Sequence, residues 1–417
     1  MFDQVFAQFS VIGSVFSSSW FLFLPPMFWF LFKTIWMDYA NGMWNSKQNW
    51  VVLEIIPPRD IEKSPYPMES LFYGIAGEIK TPNSLEKYCD GYFDPSTSFE
   101  LVGDQGRVHF YVRTQRNFQH LIESHLYAQY PGVEIVEVSD YVYDVPRLIP
   151  NKDWDLWGTD FELVDAEPVP IRTYKYFEES VTGKMIDPLA GLIEVMGRLG
   201  PGQKIWFQLV TQPKMEGWKK EAKAYIDQLV GRTKKSPGLM DQLKADLKDV
   251  FGNIGAGFSA PVEFAKKQDA PDQPIEFKLT PGEKQTLKAI EENIGKNVFS
   301  VKMRFLYLGR RETFDKSFVS AFIGGLKQFA DQNLNSFKPN DISKTYPSYL
   351  FGTARLRQRQ RKILNRYRSR SGEGVKCVFS TEEMATLYHM PDMTVVAPSL
   401  QYTLAKQGSP PVNLPIE

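Results

Sequence analysis

From Gln4 to Phe32 the chain reads QVFAQFSVIGSVFSSSWFLFLPPMFWFLF, 29 residues without one charged side chain. That length exceeds the roughly 20 residues that cross a bilayer core, and a buried helix of a soluble protein would rarely be this aromatic with no charge. A cleavable secretory signal is the alternative. Against it, the start carries Asp3 in place of a lysine or arginine, and the uncharged part is too long for a signal's apolar core. Residues 1–40 are therefore expected to form a transmembrane anchor. Pro25 and Pro26 lack amide protons and crowd the preceding turn, which predicts a kink or break and so one bent span or a re-entrant pair. Trp20, Trp29 and Trp36 are candidates for the headgroup levels. Lys33, Lys47 and Arg59 follow the stretch, so the positive-inside tendency places the body in the cytoplasm against the inner (cytoplasmic) membrane, with membrane lipid as a partner.

The whole chain has 49 basic and 49 acidic residues, so no overall field draws it to DNA or lipid and any such attraction is local. With 43% hydrophobic and 24% charged residues among 417, the composition is globular, with room for about two or three domains. Cys89 and Cys377 are too few for a thiolate zinc site. One disulfide between them stays open by counting, and a reduced intracellular body is favoured.

After the anchor, NWVVLEIIPP is β-branched and ends at a double proline, which predicts a strand. YPMESLFYGIAG places Pro67 in a first helical turn and Met68, Leu71, Phe72 and Ile75 on one face. SFELVGDQGRVHFYVRT alternates on both sides of Asp104-Gln105-Gly106, a hairpin signature. NFQHLIESHLYAQYP then predicts a helix and GVEIVEVSDY a strand. The order βαββαβ is that of a ferredoxin-like sandwich over residues 49–145. A second copy is expected over 160–345, with PIRTYKYFEE as a strand, DPLAGLIEVMGRLG as a helix and QKIWFQLVTQP as a strand. NVFSVKMRFLYLG, where Phe299, Val301, Met303, Phe305 and Tyr307 alternate, follows as a strand, and FDKSFVSAFIGGLKQFADQ as a helix. A polar, Gly- and Pro-rich insertion at about 214–282 interrupts this copy, and 346–417 holds a basic helix, a capped helix and an extended connector. The expected fold class is thus α+β, a transmembrane segment followed by two ferredoxin-like (βαββαβ) sandwiches, the second with a long helical insertion.

No motif assembles a reaction. GPGQK and VTGKM each lack part of a phosphate loop, and GNIGAGF has no strand before it, as a dinucleotide fingerprint requires. His120 and His125 are five residues apart, about 140° around a helix, which does not make a metal pair. His109 alternates with core positions and is expected on the exposed face, while His389 sits at a helix end where an imidazole suits free carbonyls. There is no Gly-x-Ser-x-Gly and no evident carboxylate pair. No catalytic, cofactor-binding or metal residues are expected, and the chain is read as not an enzyme.

The strongest charge feature is ARLRQRQRKILNRYRSR. Arg355, Arg357, Arg359, Arg361, Lys362, Arg366, Arg368 and Arg370 place eight cations in 16 residues with no acid among them, in a predicted helix. Arginine stems cover apolar surface while the heads stay wet, so a solvated face is one reading. Eight unopposed cations repel one another, and the other reading is a partner: anionic headgroups, nucleic-acid phosphate or an acidic protein face.

In STEEMATLYHMPDMTVVAPSLQYTLAKQGSPPVNLPIE, Ser380 and Glu383 form a capping-box pattern that opens a short helix, and an extended connector follows. This segment resembles the one preceding the nucleotide-binding domain in membrane-anchored, type IV secretion-like conjugative-transfer ATPases of the HerA and TraG class. VVLEIIPPRDIEKSPYPMESLFYGIAG and VHFYVRTQRNFQHLIESHLYAQYPGVEI are similar to the N-terminal region of the same family. The motor itself has no counterpart in this sequence: either the ATPase is encoded separately, or this is the N-terminal part of a longer protein. The resemblance implies a non-catalytic scaffold that docks a separate translocation ATPase at the membrane, in a conjugation or secretion machine that transfers DNA. The alternative is a membrane-tethered nucleic-acid-binding module that uses the arginine helix, with Tyr111 and Tyr307 as sheet candidates for stacking on bases. Assembly into a homo-oligomer stays open.

Overall fold

Segments in which bulky apolar side chains recur at every second position build the body around a sheet. The computed structural model describes residues 2–58, 61, 64–77, 82–94, 96–177, 186–214, 217–230, 279–347 and 351–392. Among these, nine strands form one sheet: β1 (Trp50–Ile56), β2 (Thr97–Asp104), β3 (Arg107–Gln115), β4 (Glu134–Val138), β5 (Trp154–Leu163), β6 (Gln203–Lys214), β7 (Val298–Arg310), β8 (Phe337–Pro339) and β9 (Cys377–Ser380). The order is β4-β1-β3-β2-β6-β7-β5-β8, with β9 pairing the start of β7, and every neighbouring pair is antiparallel.

This sheet corrects the expected fold class. Two ferredoxin-like sandwiches would leave β2 and β6 as edges of separate sheets. Instead they pair from Thr97↔Thr211 to Asp104↔Lys204, making one mixed α/β body on a continuous sheet. The physical reason lies in β2, whose first seven residues are all buried. A strand covered on both faces would bury an unpaired row of amides and carbonyls if it stood at an edge. The turn joining β2 to β3 is tight, with Gln105 at φ 50° and Gly106 at φ 87°.

The transmembrane expectation for 1–40 is corrected too. Phe2–Ser46 form one helix, α1, that runs through Pro25 and Pro26. Among the described residues no helix is long and apolar enough to cross a membrane. Past Pro25 and Pro26 the helix carries Lys33 and Asp38, and a charge within a span opposes transfer into hydrocarbon. The last turns of α1 rest on the body instead. Trp36 Nε1 donates to Tyr88 O at 2.7 Å, and Trp44 meets the Tyr92 ring edge-on. At Gly91, with φ +70°, a Cβ would lie 2.2 Å from the Ala40 carbonyl carbon, so only glycine allows that approach.

The remaining helices among the described residues are α2 (Tyr66–Ala76), α3 (Ser84–Tyr88), α4 (Arg116–Gln129), α5 (Ala190–Gly197), α6 (Trp218–Leu229), α7 (Pro281–Ile294), α8 (Ser317–Leu326), α9 (Gly352–Arg368) and α10 (Thr381–Leu387). Elements α2, α4, α5, α8 and α10 cover one face of the sheet, in a core that includes Phe72, Phe99, Leu192, Phe322 and Tyr388. The other face is covered by the chain around Tyr141–Tyr143 and by α9, whose Ile363, Leu364 and Tyr367 join Trp206, Leu306 and Leu308.

PIRTYKYFEE does not form the predicted strand. Tyr174–Phe177 is a 3₁₀ turn, and the core apolar side chains of this segment, Ile171, Tyr174 and Phe177, recur every third position, the 3₁₀ repeat, instead of every second. The strand is β5, in WDLWGTDFEL, where Gly158 and Asp160 interrupt the apolar alternation. Most of the predicted insertion, 231–278, and the connector at 393–417 lie outside the described residues.

Candidate anion-binding surface

Antiparallel register brings paired residues onto one face. On the face covered by α9, one row runs Glu54, Tyr111, Glu100, Gln208, Arg304 and Asp160 across β1, β3, β2, β6, β7 and β5. Glu100, Gln208 and Arg304 are fully enclosed, at 0% exposure, so each polar atom there must find a partner within the protein. Arg370 meets Glu100 as a fork, Nε to Oε1 at 3.0 Å and Nη2 to Oε2 at 3.1 Å, and also reaches Asp140 at 2.5 and 2.8 Å. Glu100 also accepts from Ser98, from Tyr141 at 2.7 Å and from Gln208 at 2.8 Å. Burial opposes ionisation of Glu100, yet the Arg370 guanidinium and the donated hydrogen bonds hold its carboxyl below the usual carboxylate range. Further along the row, Asp160 binds Arg304 at 2.9 Å and Lys302 at 2.8 Å.

This network seats α9. The last carbonyls of a helix lack intrahelical partners. Here Arg304 donates to Arg366 O at 2.8 Å and Ser371 O at 2.9 Å, and Gln208 donates to Tyr367 O at 3.2 Å. Arg370, at φ 50°, turns the chain so that its side chain re-enters the sheet. Arg368 donates to the carbonyls of Val142, Val145, Pro146 and Arg147 at 2.7–3.1 Å. Arg359 donates to Lys344 O at 3.2 Å, and Arg366 pairs with Glu373 at 2.9 Å. Counter-charges for the arginine run thus come from Glu100, Asp140 and Glu373, none of which lies within it.

Four of the eight cations, Arg359, Arg366, Arg368 and Arg370, are therefore bound by their own chain. Arg355 is exposed and makes a contact within the chain. Arg357, Arg361 and Lys362 are exposed and have no hydrogen-bond or ion-pair partner among the described residues. With Gln358 and Asn365 they line an open groove of about 810 Å³ along α9. Arg357 and Arg361 stand one turn apart, roughly 5.4 Å along the axis. At its far end the groove reaches Ser369 and Ser371, which also border a smaller recess containing Arg113 and Lys376.

Other candidates have structural partners. His109 Nδ1 lies 2.6 Å from Glu54 Oε1 on the half-covered face, which corrects the exposed position expected for it. His120 is exposed, and His125 packs against Gly74. His389, fully buried, meets Ala385 O at 2.9 Å, as a helix-end imidazole can, and also Asp187 at 3.1 Å. Burial opposes ionisation of Asp187, but His389 and the amides of Asp392 and Leu189 hold its carboxyl below the usual range. Tyr111 and Tyr307 are buried and offer no platform for a base. Both cysteines are free. Among the described residues no group of three or more His, Cys, Asp or Glu side chains is placed to hold a metal.

Sequence reasoning missed Glu100, Gln208, Arg304, Asp160 and Lys302. Their signal was a polar residue inside an apolar strand, as in SFELVGD and SVKMRFLYLG, which alternation alone assigns to solvent. The family model described as "Domain of unknown function (DUF8128)" matches residues 34–402. A comparison with curated proteins finds no match.

Proposed function

The chain belongs to the DUF8128 family, and from the geometry of α9 we propose that it is a binding platform without chemistry of its own, which presents the outer face of α9 to a phosphate-bearing polymer such as a nucleic-acid strand. One observation carries the reading: Arg357, Arg361 and Lys362 stand exposed on neighbouring turns without a partner among the described residues, on a helix whose opposite face is locked into the core. A rigid row of cations matches a regular row of phosphates and loses little conformational freedom on binding. Gln358 and Asn365 add neutral donors that reach phosphate or sugar oxygens.

Salt dependence tests this. The affinity of the protein for a single-stranded oligonucleotide is expected to fall steeply with salt. The Arg357→Gln/Arg361→Gln/Lys362→Gln variant should flatten the log–log slope by about 2, three contacts at ~0.7 each. Absence of binding at low salt, or an unchanged slope in the variant, would sink the proposal.

A second reading keeps the platform and makes its partner an acidic protein face, such as the separate motor ATPase that the resemblance implies. It is favoured by the anchoring of the chain just before 393–417, where Asp187 accepts from Asp392 N at 2.9 Å and meets His389. Capture of an ATPase that survives nuclease treatment and is lost in the same triple variant would select this reading.

A further inference from the structure

The recess at the C-terminal end of α9 has a composition that the rest of the network does not explain. Its volume is about 150 Å³, room enough for a small anion. Arg113 enters it from β3, two residues beyond Tyr111 and on the same face of the sheet. The guanidinium lies over the Trp50 ring at 4.0 Å and has no hydrogen-bond or ion-pair partner among the described residues. Lys376 enters from the approach to β9, and among the described residues its ammonium donates only to the neutral Gln212 Oε1, at 3.0 Å.

Both cations are half-buried. The neighbouring carboxylates Glu100 and Asp140 are already engaged by Arg370. Burial, reinforced by the nearby Arg370 charge, lowers the Arg113 pKa to about 10, and burial also lowers that of Lys376. Removing a charge from water without a counter-charge is costly, so the two groups share a deficit that an anion between them would offset. The remaining wall supplies suitable donors. Ser371 Oγ accepts from Glu373 N at 3.2 Å and keeps its own proton for another acceptor. The guanidinium fork and the ammonium suit tetrahedral oxygens.

We infer that this recess binds a single tetrahedral oxyanion, a phosphate or a terminal phosphomonoester, between Arg113 and Lys376. The inference does not depend on polymer binding by the outer face of α9, although Ser369 and Ser371 border both sites and a strand end lying in the groove could deliver its phosphate here.

The experiment is a titration followed by ³¹P NMR line width and by thermal shift, at ionic strength held constant with chloride. Orthophosphate, a 5′-phosphorylated dinucleotide and its unphosphorylated counterpart are compared. Saturable orthophosphate binding is expected for the unaltered protein, weakened at least about tenfold in Arg113→Gln/Lys376→Gln and unchanged in Arg357→Gln/Arg361→Gln. Competition by the 5′-phosphorylated dinucleotide alone identifies a polymer end as the source. Failure of both dinucleotides to compete identifies free phosphate. If the double variant does not fold, Lys376→Gln alone serves, because its ammonium holds one neutral partner; a weakening of roughly threefold or more is expected. Lack of saturable binding to the unaltered protein, or equal affinity in the recess variants, overturns the inference. Loss in the α9 variant with the recess variants unaffected would move the phosphate site to the outer face and overturn it equally.

Discussion

Replacing Arg370 with methionine tests how the charged network seats α9. The side chains of Arg370 and Glu100 are 2% and 0% exposed, so the pair needs little discount for solvent screening. Methionine fills much of the same space but removes the forked contact with Glu100 and both contacts with Asp140. Breaking one side of a buried pair costs about 3–5 kcal/mol, because the surviving charge is left without compensation. The loss should depend on pH in a stated direction. In the unaltered protein the folded pKa of Glu100 lies below its unfolded value. Its contribution is therefore present above the unfolded pKa, near 4.5, and fades as pH falls through the folded one. Without Arg370, burial dominates and the folded pKa rises above the unfolded value. The variant's Glu100 then favours folding only when protonated, and that contribution is lost as pH rises through the new folded pKa. Urea unfolding at several pH values should show a gap between the two proteins of about 3–5 kcal/mol near pH 7, shrinking towards pH 4. A gap that is flat with pH, or below about 1 kcal/mol throughout, would refute this account of what holds α9 on the sheet.

Arg304→Lys should cost about 2–4 kcal/mol in urea unfolding and raise amide exchange in the last turn of α9, because one ammonium cannot serve Asp160, Gln208 and two carbonyls together. Removing the cap at the start of α10 by Ser380→Ala should cost about 1–2 kcal/mol, measured in the same way, since Ser380 and Glu383 satisfy each other's backbone amides inside the core. A thiol reagent added to the native protein should label one cysteine, identified by peptide mapping. Cys89 is exposed, whereas burial pushes the Cys377 thiol up to about 12, and Cys377 should react only after denaturation. Gly91→Ala should loosen α1 from the body, seen as faster proteolysis between the two, because its methyl group would overlap the Ala40 backbone.

Local patterns were legible where one residue type settles one conformation. Ser380 closes a capping box with the glutamate three residues on, and the β2–β3 turn sits at Asp104-Gln105-Gly106. The basic helix was legible as a helix. Which of its cations were free was not, because Arg370 finds Glu100 at a separation of 270 residues and Arg368 finds Val142 O at 226. Periodicity also misplaces a strand where apolar residues three apart make a 3₁₀ turn, and the uncharged stretch 4–32 predicts a membrane span that no helix among the described residues provides.

The sequence by itself determined the backbone's local preferences and the supply of charge: alternating runs, capped helix starts and a cationic stretch with no acid inside it. Short-range sterics and hydrogen bonds act within a few residues, so those preferences are written locally. Tertiary structure alone decided that β2 and β6 join the halves into one sheet, that both faces are covered, and that polar strand positions form a buried row beneath α9. Pairing of distant strands and matching of distant charges depend on which surfaces meet once the chain has collapsed, and no local pattern encodes that choice.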